Sequence, residues 1–282
     1  EIGSGLVGSE MCIRDRIHLD PRFPISRKMA LNVGIKSAHY ECMVFTSTDA
    51  VPQTDRWLAL MAKGFTRGEI VVGYCGVERR KGFANYMMRA WRMMHSADWI
   101  ARAVRRNPYR GTLHNIGFTK NIYFGSKGFS HLNMNIGEDD LYMQKVMTHD
   151  NVSVILSPRA TLREKMWGGM RWWMGQLRYY GSAFAFYPQQ VKNYIQWELG
   201  SRALFFITAA CALAVMPFEY KIAALVLVLV RYLLVAIQVR RIARRLGEAG
   251  MAGRYFVYDL LSPLWAFLLG VLLLRRDDRV WR

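Results

Sequence analysis

Three adjacent carboxylates stand out as residues that could do acid–base chemistry. Glu138, Asp139 and Asp140 follow one another at the expected start of a helix. Acidic side chains there interact favourably with the helix dipole, so capping is one sufficient explanation. Three in succession exceed what capping needs, and their mutual repulsion favours proton uptake by at least one of them. The segment is therefore also a candidate general-base site for a hydroxyl group.

A single aspartate, Asp49, follows the short apolar run at residues 42–46. Such a run is typical of a buried strand in a parallel sheet, and α/β proteins bind ligands at the carboxyl edge of that sheet. One carboxylate is enough to hold a divalent cation that also binds diphosphate oxygens and water. Aspartate is also a common turn former, so both interpretations of Asp49 stay open.

The elements that would position these carboxylates alternate between helix and strand. The expected helices cover residues 26–38, 54–63, 83–105 and 138–147. The expected strands cover residues 42–46, 69–74 and 152–156. This order predicts βαβ units and an α/β sheet. Because nothing upstream of residue 17 supplies a strand to pair with the first one, an N-terminal part of the fold is expected to be missing.

Charge and hydropathy divide the chain into two regions. The 282 residues include 39 Lys and Arg against 21 Asp and Glu, a net charge of +18. This excess suits nucleic acid, anionic lipid or a phosphate-bearing substrate. The residues beyond about 199 are mostly apolar, whereas the earlier ones are mixed and charged. The four cysteines include no CxxC pair, which disfavours a disulfide scaffold and a structural zinc site.

Three apolar segments, at residues 203–216, 222–239 and 255–274, predict two or three membrane helices. The loop between the second and third is rich in arginine, so it and the polar region are expected in the cytoplasm. A third full span would place the C-terminal arginines outside, and a tilted or re-entrant segment is the alternative. Arg231 falls inside the second span, at a cost of about 2.5–3.5 kcal/mol. It is expected to face protein, water or a lipid phosphate, unless the helix register is displaced.

Aromatic and basic side chains alternate in residues 162–187, before the first apolar segment. This composition favours an amphipathic helix lying in the headgroup layer. A surface helix packed on the core and an RNA-binding segment are the alternatives. The membrane segments that follow at once disfavour nucleic acid as a partner.

Five segments occur in an order that resembles the membrane-bound family 2 glycosyltransferases, which are processive-synthase-like enzymes with a GT-A fold. They are RKMALNVGIKSA, FTSTDAVPQTDRWL, NIGFTKNIYF, GFSHLNMNIGEDDLYMQK and WWMGQLRYY, followed by membrane helices and a closing VWR. The resemblance runs from about His18 to the end. It implies an α/β, partial GT-A (Rossmann-like) domain followed by a transmembrane helical region.

The resemblance also implies an activity and a location. The enzyme would move a sugar from a nucleotide-diphosphate sugar to a hydroxyl of a glycan or lipid-linked acceptor, in one inverting displacement. It would be a multi-pass protein of the cell (inner) membrane, with the catalytic domain in the cytoplasm and the lipid bilayer as a partner.

Single residues take roles from the same resemblance. Asp139 matches the general base of the Glu-Asp pair, with Glu138 before it and Asp140 as the alternative if the register slips by one. Lys28 would lie near the donor diphosphate. Asp49 matches the second aspartate of the DxD motif, which holds Mg²⁺ or Mn²⁺.

Three further matches are partial. Asn121 lies in the acceptor-side segment. Gln176 matches the glutamine of QxxRW, on the donor side. The arginine and tryptophan positions of that motif hold Tyr179 and Tyr180, with Arg178 one place early and also expected near the diphosphate.

Three departures from the family pattern support a second hypothesis. Ser47 stands where the family has the first metal-binding aspartate, Tyr179 stands at the arginine position of QxxRW, and the nucleobase-binding strands are absent. A non-catalytic, membrane-anchored remnant or partner subunit of a glycan synthase would share these features. A third hypothesis is a basic membrane protein that binds nucleic acid or lipid electrostatically.

The predicted organisation has four parts. Residues 1–16 resemble the translation of a sequencing adapter and are predicted to be non-native, with a short native tail as the alternative. The remaining parts are the C-terminal part of a catalytic domain at 17–160, an interfacial helix region at 161–198 and a transmembrane region at 199–282.

Overall fold

A computed structural model describes residues 27–131, 139–248 and 250–274. It shows a mixed α/β fold that is 64% helical, with two small sheets followed by long apolar helices. The α/β class predicted from the sequence is confirmed at this level. The adapter-like segment, the first residue of the expected helix at 26–38 and the candidate Glu138 lie outside the described residues.

The fold has helices and strands interleaved along its first part and helices alone along its second. The helices are α1 Arg27–Ser37, α2 Trp57–Gly64, α3 Phe83–Val104, α4 Lys120–Gly125, α5 Asp140–Val146, α6 Met170–Ala183, α7 Gln189–Val215, α8 Phe218–Arg245 and α9 Tyr255–Leu274. The strands are β1 Cys42–Thr46, β2 Ala50–Pro52, β3 Ile70–Val72, β4 Cys75–Val77, β5 Asn115–Thr119, β6 Val152–Val154 and β7 Leu162–Glu164.

The larger sheet has the strand order β1-β5-β3-β6. β5 runs antiparallel to both of its neighbours, and β3 runs parallel to β6. The sheet is therefore mixed rather than built from βαβ units alone, because the unpredicted strand β5 is inserted in the opposite direction. β1, β3 and β6 still share one direction, so their carboxyl ends lie at one edge.

The smaller sheet, β2-β7-β4, was not predicted. Its strands have three residues each, too short for a period-two pattern to be recognised. β2 follows the turn after β1 and pairs with β7, so that Ala50 faces Glu164. This pairing carries Glu164 to the carboxyl edge of the larger sheet.

The core between sheet and helices is apolar and tightly covered. Ile70, Val72, Ile116 and Phe118 from β3 and β5 are fully buried, and Trp99 of α3 is 2% exposed. Each such side chain contributes about 1.5–3 kcal/mol by leaving water. The core thereby fixes the sheet edge on which the candidate site is built.

The helix in the aromatic–basic segment, α6, packs on the protein core. Trp173, Leu177 and Tyr180 are buried, whereas Arg171 and Arg178 are exposed. Two of the aromatic side chains that were expected in the headgroup layer, Trp173 and Tyr180, therefore face the protein instead. The alternative interpretation, a helix packed on the core, accounts for this face.

Within the described part of the chain, two helices, α7 and α8, are long and apolar enough to cross a membrane. Their mean hydropathies over the most apolar window are 1.5 and 2.5, and 0% and 6% of those windows are buried. The third predicted segment forms the helix α9, which contains Pro263. One face of α9, including Tyr258, Asp259 and Ser262, is buried against the rest of the protein.

Arg231, inside α8, faces protein. Its Nη1 lies 2.5 Å from Oδ2 of Asp259 in α9, and its guanidinium carbon is 4.7 Å from the ring centre of Phe205. Arg202 of α7 approaches the other oxygen of Asp259 at 3.5 Å. The expectation that Arg231 faces a protein partner is confirmed, and no displaced helix register is needed.

Candidate functional site

The carboxyl edge of the larger sheet is held together by Asn115, the first residue of β5. Its side-chain amide donates to the carbonyl oxygens of Tyr74 (2.9 Å) and Ala160 (3.0 Å). Its amide oxygen accepts from Nε1 of Trp57 at 3.0 Å. Three segments of the chain are thereby tied to one point of this edge.

Asp49 lies at this edge, in the turn between β1 and β2, and is half-buried. Its N–H donates to Oγ of Ser47 (3.4 Å), and its carbonyl oxygen accepts the N–H of Lys165 (2.9 Å). A carboxylate and a hydroxyl, both hard oxygen donors, thus share one turn. No group of three or more His, Cys, Asp or Glu side chains suited to a metal occurs among the described residues. The donor set fits only a cation held mainly by its substrate, such as Mg²⁺ on a diphosphate.

Asp139 and Asp140, at the start of α5, are both buried. Oδ1 of Asp139 accepts the N–H of Asp140 at 3.1 Å, so the capping interpretation holds for this residue. Oδ2 of Asp140 accepts from the hydroxyl of Tyr187 at 2.6 Å and lies 3.9 Å from Nη2 of Arg110. Asp140 is therefore engaged in a buried ion pair and a short hydrogen bond.

Tyr180 of α6 lies between two buried arginines and near Asp139. The guanidinium carbons of Arg110 and Arg92 are 4.7 and 5.7 Å from its ring centre. Burial raises the pKa of Tyr180 to about 12, the two arginines oppose this, and the charge of Asp139 adds to it. The fold thus brings the acidic segment and the QLRYY segment into one electrostatic cluster.

Glu164 joins the same cluster from β7. Oε2 accepts from Nη2 of Arg92 at 2.8 Å, and Oε1 lies 3.6 Å from Nε2 of His114. Burial raises the pKa of Glu164, but hydrogen bonding to His114 and the charge of Arg92 outweigh it and lower the pKa to about 2. Glu164 therefore stays ionised and balances Arg92.

His95 of α3 lies beside Tyr180, with ring centres 6.3 Å apart. Burial lowers its pKa well below the ordinary value, and the charges of Arg110 and Arg92 lower it further. The imidazole is therefore neutral at pH 7.

The structure does not bring the other predicted residues to this cluster. Lys28 lines a separate cavity of about 420 Å³, together with Lys36 and Lys127. Gln176 is half-buried in α6, and Arg178 lies on the exposed face of that helix, away from Tyr180.

Asn121 is placed at the opposite end of the sheet. Its N–H donates to Oε1 of Glu41, immediately before β1, whereas Asp49 follows the far end of β1. β1 has five residues, so its length of about 13 Å separates the two positions. Asn121 therefore does not share an edge with Asp49, because β5 runs antiparallel to β1 and ends at the other edge.

The basic side of the cluster was not predicted from the sequence. Arg92, Arg110 and His114, and the Glu164 carboxylate that pairs with Arg92, lie outside the five segments that carry the resemblance. One signal was available, since Arg89 and Arg92 lie three residues apart in α3, among methionines that face the core. Arginines on an apolar helix face predict buried carboxylate partners.

No protein-family model matches the chain, and no curated protein matches it.

Proposed function

We propose that this protein is a membrane-bound inverting glycosyltransferase that moves a sugar from a nucleotide-diphosphate sugar to a hydroxyl acceptor. The observation that carries the proposal is Arg110, whose guanidinium carbon lies 4.7 Å from the ring centre of Tyr180 and whose Nη2 lies 3.9 Å from Oδ2 of Asp140, next to the buried Asp139. A resemblance based on separate sequence segments gains support when two of them meet in space.

In the proposed reaction, Asp139 is the general base. An acceptor hydroxyl oxygen forms a bond to the anomeric carbon, the bond from that carbon to the donor diphosphate breaks, and the hydroxyl proton passes to Asp139. Asp140 is less suited to this task, because Tyr187 and Arg110 already occupy its carboxylate. Asp139 is 1% exposed, so the acceptor reaches it only when the side chains that cover it move.

The donor side of the proposal depends on Asp49. With Ser47 beside it, this carboxylate would hold a Mg²⁺ or Mn²⁺ ion that neutralises charge on the departing diphosphate. Lys28 stays a predicted donor-side residue, but its cavity lies beside Tyr123 and Phe124 of α4, at the sheet edge of Asn121 rather than that of Asp49. Gln176 and Arg178 remain predicted donor-side residues.

The proposed location is the inner membrane, with the α/β domain in the cytoplasm. The loop between α8 and α9 follows a run of arginines at the end of α8, which favours the cytoplasmic side. Glu248 of this loop is fully buried and pairs with Arg89 at 2.6 Å. In the proposed topology, this contact puts the α/β domain on the same side of the membrane as the loop.

The test is a transfer assay with the full protein in membranes, using labelled nucleotide-diphosphate sugars and a lipid and glycan extract as acceptors. We expect transfer that requires Mg²⁺ or Mn²⁺. Asp49→Ala should shift the metal titration to higher concentration, whereas the exposed Asp150→Asn should leave it unchanged. Absence of transfer from every donor would favour the non-catalytic alternative.

A further inference from the structure

A cavity of about 380 Å³ lies between the α/β domain and the apolar helices. α3 and α6 line one side, and α7, α8 and α9 line the other. Its walls are mostly aromatic and aliphatic, and they include Trp91, Met94, Trp173, Leu177, Ile195 and Trp265. None of the residues predicted from the sequence to be functional lines this cavity.

The acidic groups and the arginine around the cavity already have partners. Asp98 accepts from the hydroxyls of Tyr109 (2.7 Å) and Tyr194 (2.9 Å). Arg202 donates to Oγ of Ser262 at 2.7 Å and pairs with Glu198. These charged groups are therefore already paired, and the cavity does not require a charged ligand.

Three ring nitrogens at the cavity have no such partner. Nε1 of Trp173, Nε1 of Trp265 and Nε2 of His95 are buried and make no hydrogen bond to any described residue. The two indole rings contact each other, with ring centres 5.1 Å apart. Indole nitrogens only donate, so a ligand that satisfies them must carry oxygen acceptors. The nitrogens themselves are closed off from the cavity in this structure, so the rings must turn toward it before a ligand accepts from them, which would remove the cost of leaving these donors unsatisfied.

The position of the cavity indicates the source of the ligand. α7 has 27 residues and is about 40 Å long, whereas a hydrocarbon core is about 30 Å thick. Its first turns therefore extend to the headgroup level. Tyr194, Ile195 and Glu198 in these turns line the cavity, and the adjacent Trp197 is 76% exposed, as is typical of an interfacial tryptophan.

We propose that this cavity binds a membrane glycerophospholipid. Its ester and phosphate oxygens accept hydrogen bonds from Trp173 and Trp265, and an acyl chain lies along Leu177, Leu199 and Ile242. The inference goes beyond the proposed function, because it needs no transfer reaction. The cavity is also relevant to the class of acceptor in the proposed reaction, because His95 lines the cavity and lies beside Tyr180 of the candidate site.

Photocrosslinking tests the proposal with the full chain in phosphatidylcholine vesicles that contain a trace of acyl-diazirine phosphatidylcholine. We expect crosslinks to Leu177 and Leu199 in the cavity as well as to Leu227, which is 65% exposed on α8. Ala266→Phe fills the cavity and should lower the cavity crosslinks about tenfold while leaving those at Leu227 unchanged. Ala210→Phe, on the exposed face of α7, is the matched control and should change neither.

Trp265→Phe keeps most of the ring volume but removes the N–H, so a drop in cavity crosslinks would support the predicted hydrogen bond. No cavity crosslinks in the wild type, or equal crosslinks in Ala266→Phe, would overturn the proposal. Since no sugar donor is present, this result is independent of whether the protein transfers sugar.

Discussion

Arg89 of α3 and Glu248 of the α8–α9 loop form a buried ion pair that joins the α/β domain to the long apolar helices. Nη2 of Arg89 lies 2.6 Å from Oε2, and the other carboxylate oxygen accepts from Arg163 and from the hydroxyl of Tyr74. Gly76 of β4 makes this approach feasible, because a Cβ there would overlap the side chains of Arg163 and Glu248. A single carboxylate thus holds two parts of the protein together.

Glu248→Gln should strongly destabilise the protein. Removing the negative charge leaves Arg89 and Arg163 buried without compensation, which typically costs about 3–5 kcal/mol. Unfolding in detergent, followed by the exposure of buried Cys75, measures the loss. Glu78→Gln is the control, since Glu78 pairs with Arg80 at the surface and should contribute less than about 1 kcal/mol. Equal stability of the two variants would contradict the role of Glu248.

Glu164 makes the stability of the folded protein depend on pH in the acid range. Its pKa in the folded state is lowered to about 2, below the ordinary value of 4.5, so the folded state binds fewer protons than the unfolded state. The stabilisation is present above pH 4.5 and is lost as the pH falls toward 2, in total on the order of 3 kcal/mol.

Unfolding curves of wild type and Glu164→Gln over this pH range check the prediction. The variant should be less stable above pH 4.5, and the difference between the two proteins should shrink on acidification. A difference that stays constant with pH would show that Glu164 does not titrate as proposed.

The pair Arg231–Asp259 should stabilise the packing of α8 on α9. Asp259→Asn leaves the charge of Arg231 within the apolar helices, where a charge costs about 2.5–3.5 kcal/mol. A double-mutant cycle with Arg231→Met should give a coupling energy of about 0.5–3 kcal/mol. The same cycle on the exposed pair Arg80–Glu78 is the control, and equal coupling in both would contradict the buried pairing.

Long elements with clear periodicity were predictable from the sequence. The helix predicted at residues 83–105 is found at Phe83–Val104, and the apolar run at 42–46 is found as β1. The position of Asp49 at a carboxyl edge followed from these elements. The strand β5 was missed because Gly117 and Thr119 interrupt its apolar pattern, and its antiparallel direction places Asn121 at the opposite edge.

The candidate site was predictable only on its acidic side. Asp139 and Tyr180 belong to segments that are visible in the sequence, but Arg92, Arg110 and Glu164 are brought to them by tertiary packing. Burial also distinguished residues that the sequence could not separate. Arg178 and Tyr180 are two positions apart in α6, and they lie on different faces because of the helix period.

The central claim, that Asp139 is the base of a glycosyl transfer, is tested most directly by Asp139→Asn in the full protein. Transfer from a labelled nucleotide-diphosphate sugar and equilibrium binding of the same donor are measured side by side, with the exposed Asp150→Asn as control. We predict that Asp139→Asn abolishes transfer and leaves donor binding unchanged, because only proton removal from the acceptor is lost. Transfer by Asp139→Asn at the wild-type rate would contradict the assignment of Asp139 as the base.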